Sequence, residues 1–310
     1  MSAVPSPAAL QQLAARLEGE LHHDATLRAL YATDASVYRE LPLAVALPRT
    51  EADIRELILF AREYHTSVIP RTAGTSLAGQ VVGAGLVVDV SRHFNRIIEI
   101  NPTERWVRVQ PGVVRNELNL ALKPHGLFFA PETATQNRAM VGGMAGNNSC
   151  GANSLVYGST RDHLLGTRAF LSDGSEAVFG PVTPGQLTAK CEARTLEAAI
   201  YRCARRLLAD PANRAEIDRE FPKRSIHRRN TGYALDVLSW CEPFTPGGTP
   251  FNFCRLLAGS EGTLAFFTEI TLACVPLPPT ETALVCVHCQ DVDESLHVNL
   301  VALKHKPHAS

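Results

Sequence analysis

Apolar residues recur at helical spacing near the start of the chain. Leu10, Leu13, Leu17 and Leu21 stand three or four residues apart and predict a helix within residues 8–30. Leu43 to Pro48 then reads as a short strand. Thr50 is placed to cap the next helix, with Glu51 and Asp53 in its first turn and Ile54, Leu57, Ile58 and Ala61 as its apolar stripe. Strands follow at 67–70 and 85–89. From residue 97 alternation takes over: 97–100 and 106–110 read as antiparallel strands, and 114–122 as a helix ended by Gly126. A hairpin is predicted around Asp173-Gly174, with its second strand at 176–179. Residues 194–220 read as a helix with Leu196, Ile200, Cys203 and Leu207 on one face, and 255–259 and 264–272 as strands. Beyond the prolines at 276–279, a strand at 283–288 and a helix from Asp293 or Ser295 are expected. No internal repeat is visible.

The pattern divides the chain. A helical segment occupies 1–40, a mixed unit lies at about 41–125, and a second at about 126–278. A strand and a helix cannot bury their faces alone, so 279–310 is expected to open a further domain that is incomplete here, which makes the chain look like a fragment.

Composition narrows the function. With 310 residues, 45% hydrophobic and 20% charged, the chain is globular, with room for one large domain or two ordinary ones. A net charge of -1 gives no electrostatic case for nucleic acid or an anionic membrane surface. The densest basic stretch, Lys223 to Arg229, reads as a solvated face or loop in preference to a partner site. No run of about 18 apolar residues exists to span a membrane, and the N-terminus lacks the form of a secretory signal. The eight cysteines are therefore expected as reduced thiols, and the protein as cytoplasmic or peripheral to the inner membrane. Cys286 and Cys289 form a Cys-x-x-Cys pair. It reads as a metal or redox site, or as two strand cysteines; no second pair follows at zinc spacing, and no metal site is expected.

The chemistry concentrates in three loops of small residues. Pro70-Arg-Thr-Ala-Gly-Thr-Ser-Leu-Ala-Gly-Gln80 follows an apolar strand; Val141-Gly-Gly-Met-Ala-Gly-Asn-Asn-Ser-Cys-Gly151 and Gly259-Ser-Glu-Gly-Thr-Leu264 are the others. Such loops offer backbone N–H groups and hydroxyls to an anion, with glycine where the backbone must approach closely. Three of them suggest a long diphosphate cofactor in an extended pose. The Rossmann Gly-x-Gly-x-x-Gly, the P-loop, the Gly-x-Ser-x-Gly elbow and His-Glu-x-x-His are all absent.

Together with Pro-Glu-Thr-Ala-Thr (131–135), Tyr-Gly-Ser-Thr-Arg-Asp (157–162) and Asn-Thr-Gly-Tyr (230–233), these loops stand in one order along the chain. Over about residues 40–280 the sequence resembles the PCMH-type FAD-binding domain of the vanillyl-alcohol-oxidase superfamily. Within it, the likeness is to FAD-linked D-2-hydroxyacid dehydrogenases acting on D-lactate, D-2-hydroxyglutarate or glycolate. The wording Gly-Asn-Asn-Ser-Cys-Gly is similar to the large bacterial fusions that add an iron–sulfur half. The resemblance implies an α+β fold of two α/β subdomains, with the start of a C-terminal cap.

It also implies roles. Arg71, Ala73, Gly74, Thr75, Ser76 and Leu77 would bind the FAD diphosphate. Pro131, Glu132 and Thr135 would line the side facing the flavin and diphosphate, although the family often carries Asp where Glu132 stands. Gly142 and Gly143 would allow close approach; Asn147, Asn148 and Ser149 would hydrogen-bond the cofactor. Glu261, Gly262 and Ile270 would contact the adenosine end. FAD would be noncovalent, the alternative being attachment through Cys150. Gly79, Gly151 and Gly158 read equally as turn glycines, Arg161-Asp162 as an ion pair or loop anchor, and His163 as a structural histidine.

The implied reaction oxidises a D-2-hydroxy acid to the 2-oxo acid, with hydride passing from Cα to flavin N5. Electrons then leave to a quinone, an electron-transfer protein or an iron–sulfur half, which would lie in a C-terminal part beyond this sequence. The substrate arginines and metal-binding histidines of the family belong to the cap, and no catalytic base is assignable. Two alternatives stay open: a noncatalytic FAD-binding subunit of an electron-transfer complex, and a UDP-sugar reductase using a similar fold.

Overall fold

Thr50 begins the first clear unit as its sequence requires. The computed structural model describes residues 5–226, 228–307 and 309. In it the Thr50 hydroxyl accepts from the Asp53 amide and the Asp53 carboxylate accepts from the Thr50 amide, a reciprocal cap. The first helices are α1 (Pro7–Ala14), α2 (Ala25–Leu30) and α3 (Glu51–Glu63). The first sheet is built from β1 (Glu20–His22), β2 (Ala44–Leu47), β3 (Val68–Arg71) and β4 (Leu86–Asp89), in the order β1-β2-β4-β3. β2 and β3 both run parallel to β4, with α3 as the crossover between them; β1 pairs antiparallel with β2. Ile54, Leu57, Ile58 and Ala61 of α3 are buried together with Leu10 and Leu13 of α1.

The second sheet holds β5 (Ile97–Asn101), β6 (Trp106–Val109), β8 (Leu164–Phe170), β9 (Glu176–Phe179) and β10 (Phe266–Ala273), in the order β5-β6-β10-β8-β9, all antiparallel. A small pair joins β7 (Leu127–Phe128) to β11 (Val275–Pro276). Helices α4 (Arg115–Leu122) and α5 (Val141–Asn147) connect β6 to β8. Where the two sheets meet, Phe170 and Phe266 of the second pack into the core of the first. Arg168 of β8 reinforces the junction, donating to Glu51 of α3 at 3.0 Å and to Glu269 of β10 at 3.1 Å.

Several expected elements differ. The helix foreseen over 8–30 is split, because the amides of Glu18 and Gly19 are taken by the Asp53 carboxylate at 2.8 and 3.0 Å. Gly19 lies against β2, where a Cβ would come 2.3 Å from the Leu47 carbonyl oxygen. The sheets also divide the chain elsewhere than expected: residues before 41 belong to the first sheet, and β5 and β6 to the second. The helix foreseen over 194–220 breaks at Asp210-Pro211, since proline starts a helix but cannot continue one. Its first half, Leu196–Ala209, buries Ala198, Tyr201 and Leu208, leaving Cys203 and Leu207 exposed.

Residues expected as a strand at 255–259 contain the short helix Cys254–Leu257. Residues 283–288 form no strand and are exposed; among the described residues no strand lies beside them to pair their backbone groups. The final helix, Val292–Leu303, is capped by Asp291. Cys286 and Cys289 are free thiols on this unpaired stretch. Within the basic stretch, His227 lies outside the described residues. Arg229 is not solvated: its guanidinium is buried, paired with Asp236 at 2.6 Å and stacked on Trp240. Among the described residues no helix is long and apolar enough to cross a membrane.

Candidate cofactor site

β3 ends at Arg71, and the chain turns through Gly74 (φ 63°) into the first small-residue loop at the carboxyl end of a parallel strand. Ligands of open α/β sheets bind at such ends. Among the described residues, none accepts a hydrogen bond from the backbone N–H of Gly74, Thr75, Ser76 or Leu77. Backbone donors left open around a concave loop suit an anion.

The loop opens on a cleft of about 430 Å³. Its far wall is the second glycine segment, which is not a loop as expected but the helix α5. Val141, Met144 and Ala145 are buried on one side of it, which fixes the helix and turns its small residues to the cleft. Gly142 packs so tightly on Pro111 that a Cβ would lie 2.5 Å from the proline Cβ; at Gly143 a Cβ would lie 2.7 Å from Thr72 Oγ1. Asn148 ends the helix in the left-handed region at φ 51°.

The third loop docks on the same helix end. The amides of Gly259 and Glu261 donate to the carbonyls of Ala145 and Gly146, each at 3.0 Å. Glu261 is held at φ 53° and Gly262 at φ 74°. Burial pushes the Glu261 carboxyl up to about 7, against the opposing effect of a hydrogen bond from Gln80. Glu261 stands where the first cleft meets a second, of about 860 Å³, between α3, β3 and the β8–β9 turn. Pro70, Gln80, Glu261, Gly262 and Phe266 line both, so the two form one elongated groove along the junction of the sheets.

Most of the sequence-derived residues converge here. Arg71, Gly74, Thr75, Ser76 and Leu77 line the cleft from the first loop. Thr135, Gly142, Gly143, Asn147 and Ser149 line the opposite wall, and Glu261 and Gly262 the floor. Five do not line it. Ala73 stands in the loop without facing the cleft. Pro131 is buried, and its carbonyl accepts from Arg115 Nε at 3.1 Å. The Glu132 carboxylate accepts from Asn153 at 2.7 Å. Asn148 is buried, accepting from the Arg161 amide at 2.8 Å and donating to the Arg229 carbonyl. Ile270 is fully buried in β10, paired with Val109 and Thr167.

Arg161 is a loop anchor and not half of an ion pair with Asp162. Its guanidinium donates to the carbonyls of Ala258 at 2.7 Å and Gly232 at 2.8 Å, while Asp162 caps its own helix through Ser159. His163 lies between two carbonyls, of Ala273 at 3.0 Å and Tyr157 at 2.8 Å. Sequence reasoning missed Thr133 and Gln80. Both sit inside motifs already singled out, and the buried Thr133 hydroxyl has no hydrogen-bond partner among the described residues where it borders the cleft.

The groove fits an elongated dinucleotide: open amides for a diphosphate, glycines without Cβ atoms on the opposing wall, and a half-buried carboxyl beyond. The comparisons agree. Residues 42–180 match the FAD binding domain family. The chain is 42% identical over 279 residues to the D-2-hydroxyglutarate dehydrogenase of Escherichia coli (strain K12), a match covering 87% of this chain and 26% of that protein. It is 28% identical over 267 residues to the glycolate oxidase subunit GlcD of the same strain, covering 86% of this chain and 41% of that protein. The chain thus spans about a quarter of the length of the first and less than half of the second. A solved structure of alkyldihydroxyacetonephosphate synthase superposes with a TM-score of 0.59 at 17% identity, over 88% of this chain and 41% of that one, which speaks for the fold alone. Residues 42–180 thus form an FAD binding domain, and over most of its length the chain is similar to D-2-hydroxyglutarate dehydrogenases.

Proposed function

We propose that this chain is the flavin-holding part of an oxidoreductase that converts a D-2-hydroxy acid, of the D-lactate, D-2-hydroxyglutarate or glycolate class, to its 2-oxo acid. The observation that carries this reading is the groove itself, with open amides at 74–77 facing the glycines of α5. When bound, FAD supplies the two-electron oxidation. The chain supplies binding and orientation. The amides at 74–77 and the Thr75 hydroxyl take the diphosphate; Gly142 lets α5 pack against Pro111, and Gly143 admits the cofactor against α5. Glu261 and Gly262 face its adenosine end, and Thr133, Thr135, Asn147 and Ser149 border its flavin end. Attachment is noncovalent.

We read residues 279–310 as the start of the substrate-side domain. Leu284, Val285, Leu296 and Leu300 are apolar yet exposed, as on a face that packs against further structure. An electron acceptor, whether a quinone, an electron-transfer protein or an iron–sulfur half, completes the cycle.

The visible spectrum of the purified protein, before and after acid precipitation, tests the cofactor. Flavin bands released to the supernatant are expected; bands kept in the pellet would mean covalent attachment, and protein that takes up no added FAD would overturn the reading. Anaerobic addition of D-2-hydroxyglutarate, D-lactate or glycolate to the FAD-loaded protein tests the substrate class. Bleaching of the flavin supports it; this chain alone, with only the start of the substrate-side domain, is expected to show little turnover, and an unreduced flavin favours an FAD-binding subunit that only relays electrons when that domain is present in the protein assayed.

A further inference from the structure

The first loop has a second layer behind it, made by residues outside the span that matches the FAD binding domain family, 42–180. Two of the side chains expected on the cofactor are engaged there instead. Arg71 donates from Nη1 to the carbonyls of Thr33 at 2.9 Å and Tyr31 at 3.4 Å, and its guanidinium lies 4.9 Å from the centre of the Tyr31 ring. The Ser76 hydroxyl donates to the Asp34 carboxylate. At Gly79 (φ 79°) a Cβ would come 2.9 Å from the Tyr38 ring.

The segment 31–40 is itself held. The Tyr31 hydroxyl donates to Asp89 at 2.7 Å at the end of β4, and the Ser36 amide donates to Asp34 at 2.8 Å. A backbone bridge joins Thr33 to Arg39. Asp34 is desolvated in part, yet hydrogen bonds from Ser36 and Ser76 and the charge of Arg71 hold its carboxyl below its ordinary value. It is therefore ionised at neutral pH.

A hydroxyl carries one hydrogen. While Ser76 gives it to Asp34, only oxygen lone pairs remain to face a phosphate, and these repel it. The Arg71 Nη1 is likewise committed to carbonyl oxygens. We propose that residues 31–40 form a strap that positions the diphosphate loop, with Asp34 acting through Ser76 and Thr33 through Arg71. Ser76 is then a brace and not a phosphate ligand. The strap fixes the loop with its amides converging before the cofactor arrives, so binding does not bear the cost of ordering them. This rests on the reading that the groove takes FAD.

The two roles of Ser76 predict opposite signs. If Ser76 binds phosphate directly, Asp34→Ala frees its hydroxyl and removes a negative charge beside the diphosphate, so FAD binds as well or better. If Ser76 is a brace, Asp34→Ala and Ser76→Ala each weaken FAD binding by about tenfold, and the double variant is no weaker than either single one. Asp34→Asn keeps an acceptor for Ser76 and recovers part of the loss. The dissociation constant is read by titrating flavin-free protein with FAD.

A second readout needs no cofactor. In flavin-free Asp34→Ala, limited proteolysis is expected to cut more readily within residues 72–80, while hydrogen exchange in β5 and β6 stays unchanged. Wild-type protein that binds no FAD would count against the FAD reading, while proteolysis within 72–80 would still judge the strap: equal cutting of wild type and Asp34→Ala would overturn it. Wild-type protein that binds FAD, with Asp34→Ala binding it equally or more tightly, would overturn the strap proposal.

Discussion

The backbone N–H of Glu261 donates to the carbonyl of Gly146 at 3.0 Å, which ties the third loop to the last turn of α5. The contact fixes a carboxyl where the two clefts meet, partly buried from water. The folded value of about 7 stands above the ordinary 4.5, so folding favours the protonated form. The associated stability is present below pH 4.5 and is lost as pH rises through 7. Thermal melting of flavin-free protein should show a decline between pH 5 and 8 of order 1 kcal/mol after discounting for solvent screening. Glu261→Gln should flatten that decline, and a variant melting with the wild-type pH dependence would contradict the assignment.

Asp53 does more than cap α3. Its carboxylate accepts from the amides of Glu18, Gly19 and Arg49 at 2.8, 3.0 and 2.8 Å, as well as from Thr50. Asp53→Ala would leave these donors inside the fold without a partner, at a cost of about 3 kcal/mol. Thr50→Ala removes a single cap bond and should cost about 1 kcal/mol. Urea denaturation of the two variants checks the ratio.

Gly142 and Gly143 should fail differently. A methyl group at Gly142 meets Pro111, whose Cβ lies 2.5 Å and carbonyl oxygen 3.0 Å from it. Gly142→Ala is therefore expected to lower the melting temperature and FAD affinity together. At Gly143 the only near neighbour among the described residues is the movable Thr72 hydroxyl, and the residue is exposed on the cleft wall. Gly143→Ala should fold normally and lose at least about tenfold in FAD affinity, by occupying space the cofactor needs. Melting curves and FAD titrations of both variants separate the cases.

Arg161 should behave as an anchor. Arg161→Met leaves the Ala258 and Gly232 carbonyls without their donor, at about 3 kcal/mol of stability. Arg161→Lys restores the charge but not the fork that reaches both carbonyls, so it should recover only part of the loss. Thermal melting of the two variants, compared with wild type, gives the order.

Local pattern determined much of this protein. The Thr50 cap, the α3 stripe, the strands flanking it and the Asp173-Gly174 hairpin follow from spacing and turn chemistry alone, because each is stabilised by residues close in sequence. The order of the small-residue motifs carried the cofactor. Tertiary structure decided the rest, where distant groups compete for one residue. Leu17 and Leu21 keep helical spacing, yet Asp53 takes the amides of Glu18 and Gly19 and the helix ends. Residues 142–147 read as a loop from their glycines, yet burial of Val141, Met144 and Ala145 makes them helical. Ser76 and Arg71 have the chemistry of phosphate ligands, but Asp34, about forty positions earlier in the sequence, claims the one Ser76 hydroxyl hydrogen and Thr33 an Nη1 hydrogen of Arg71; a sequence states which donors exist, and only the fold states which acceptor reaches each one first.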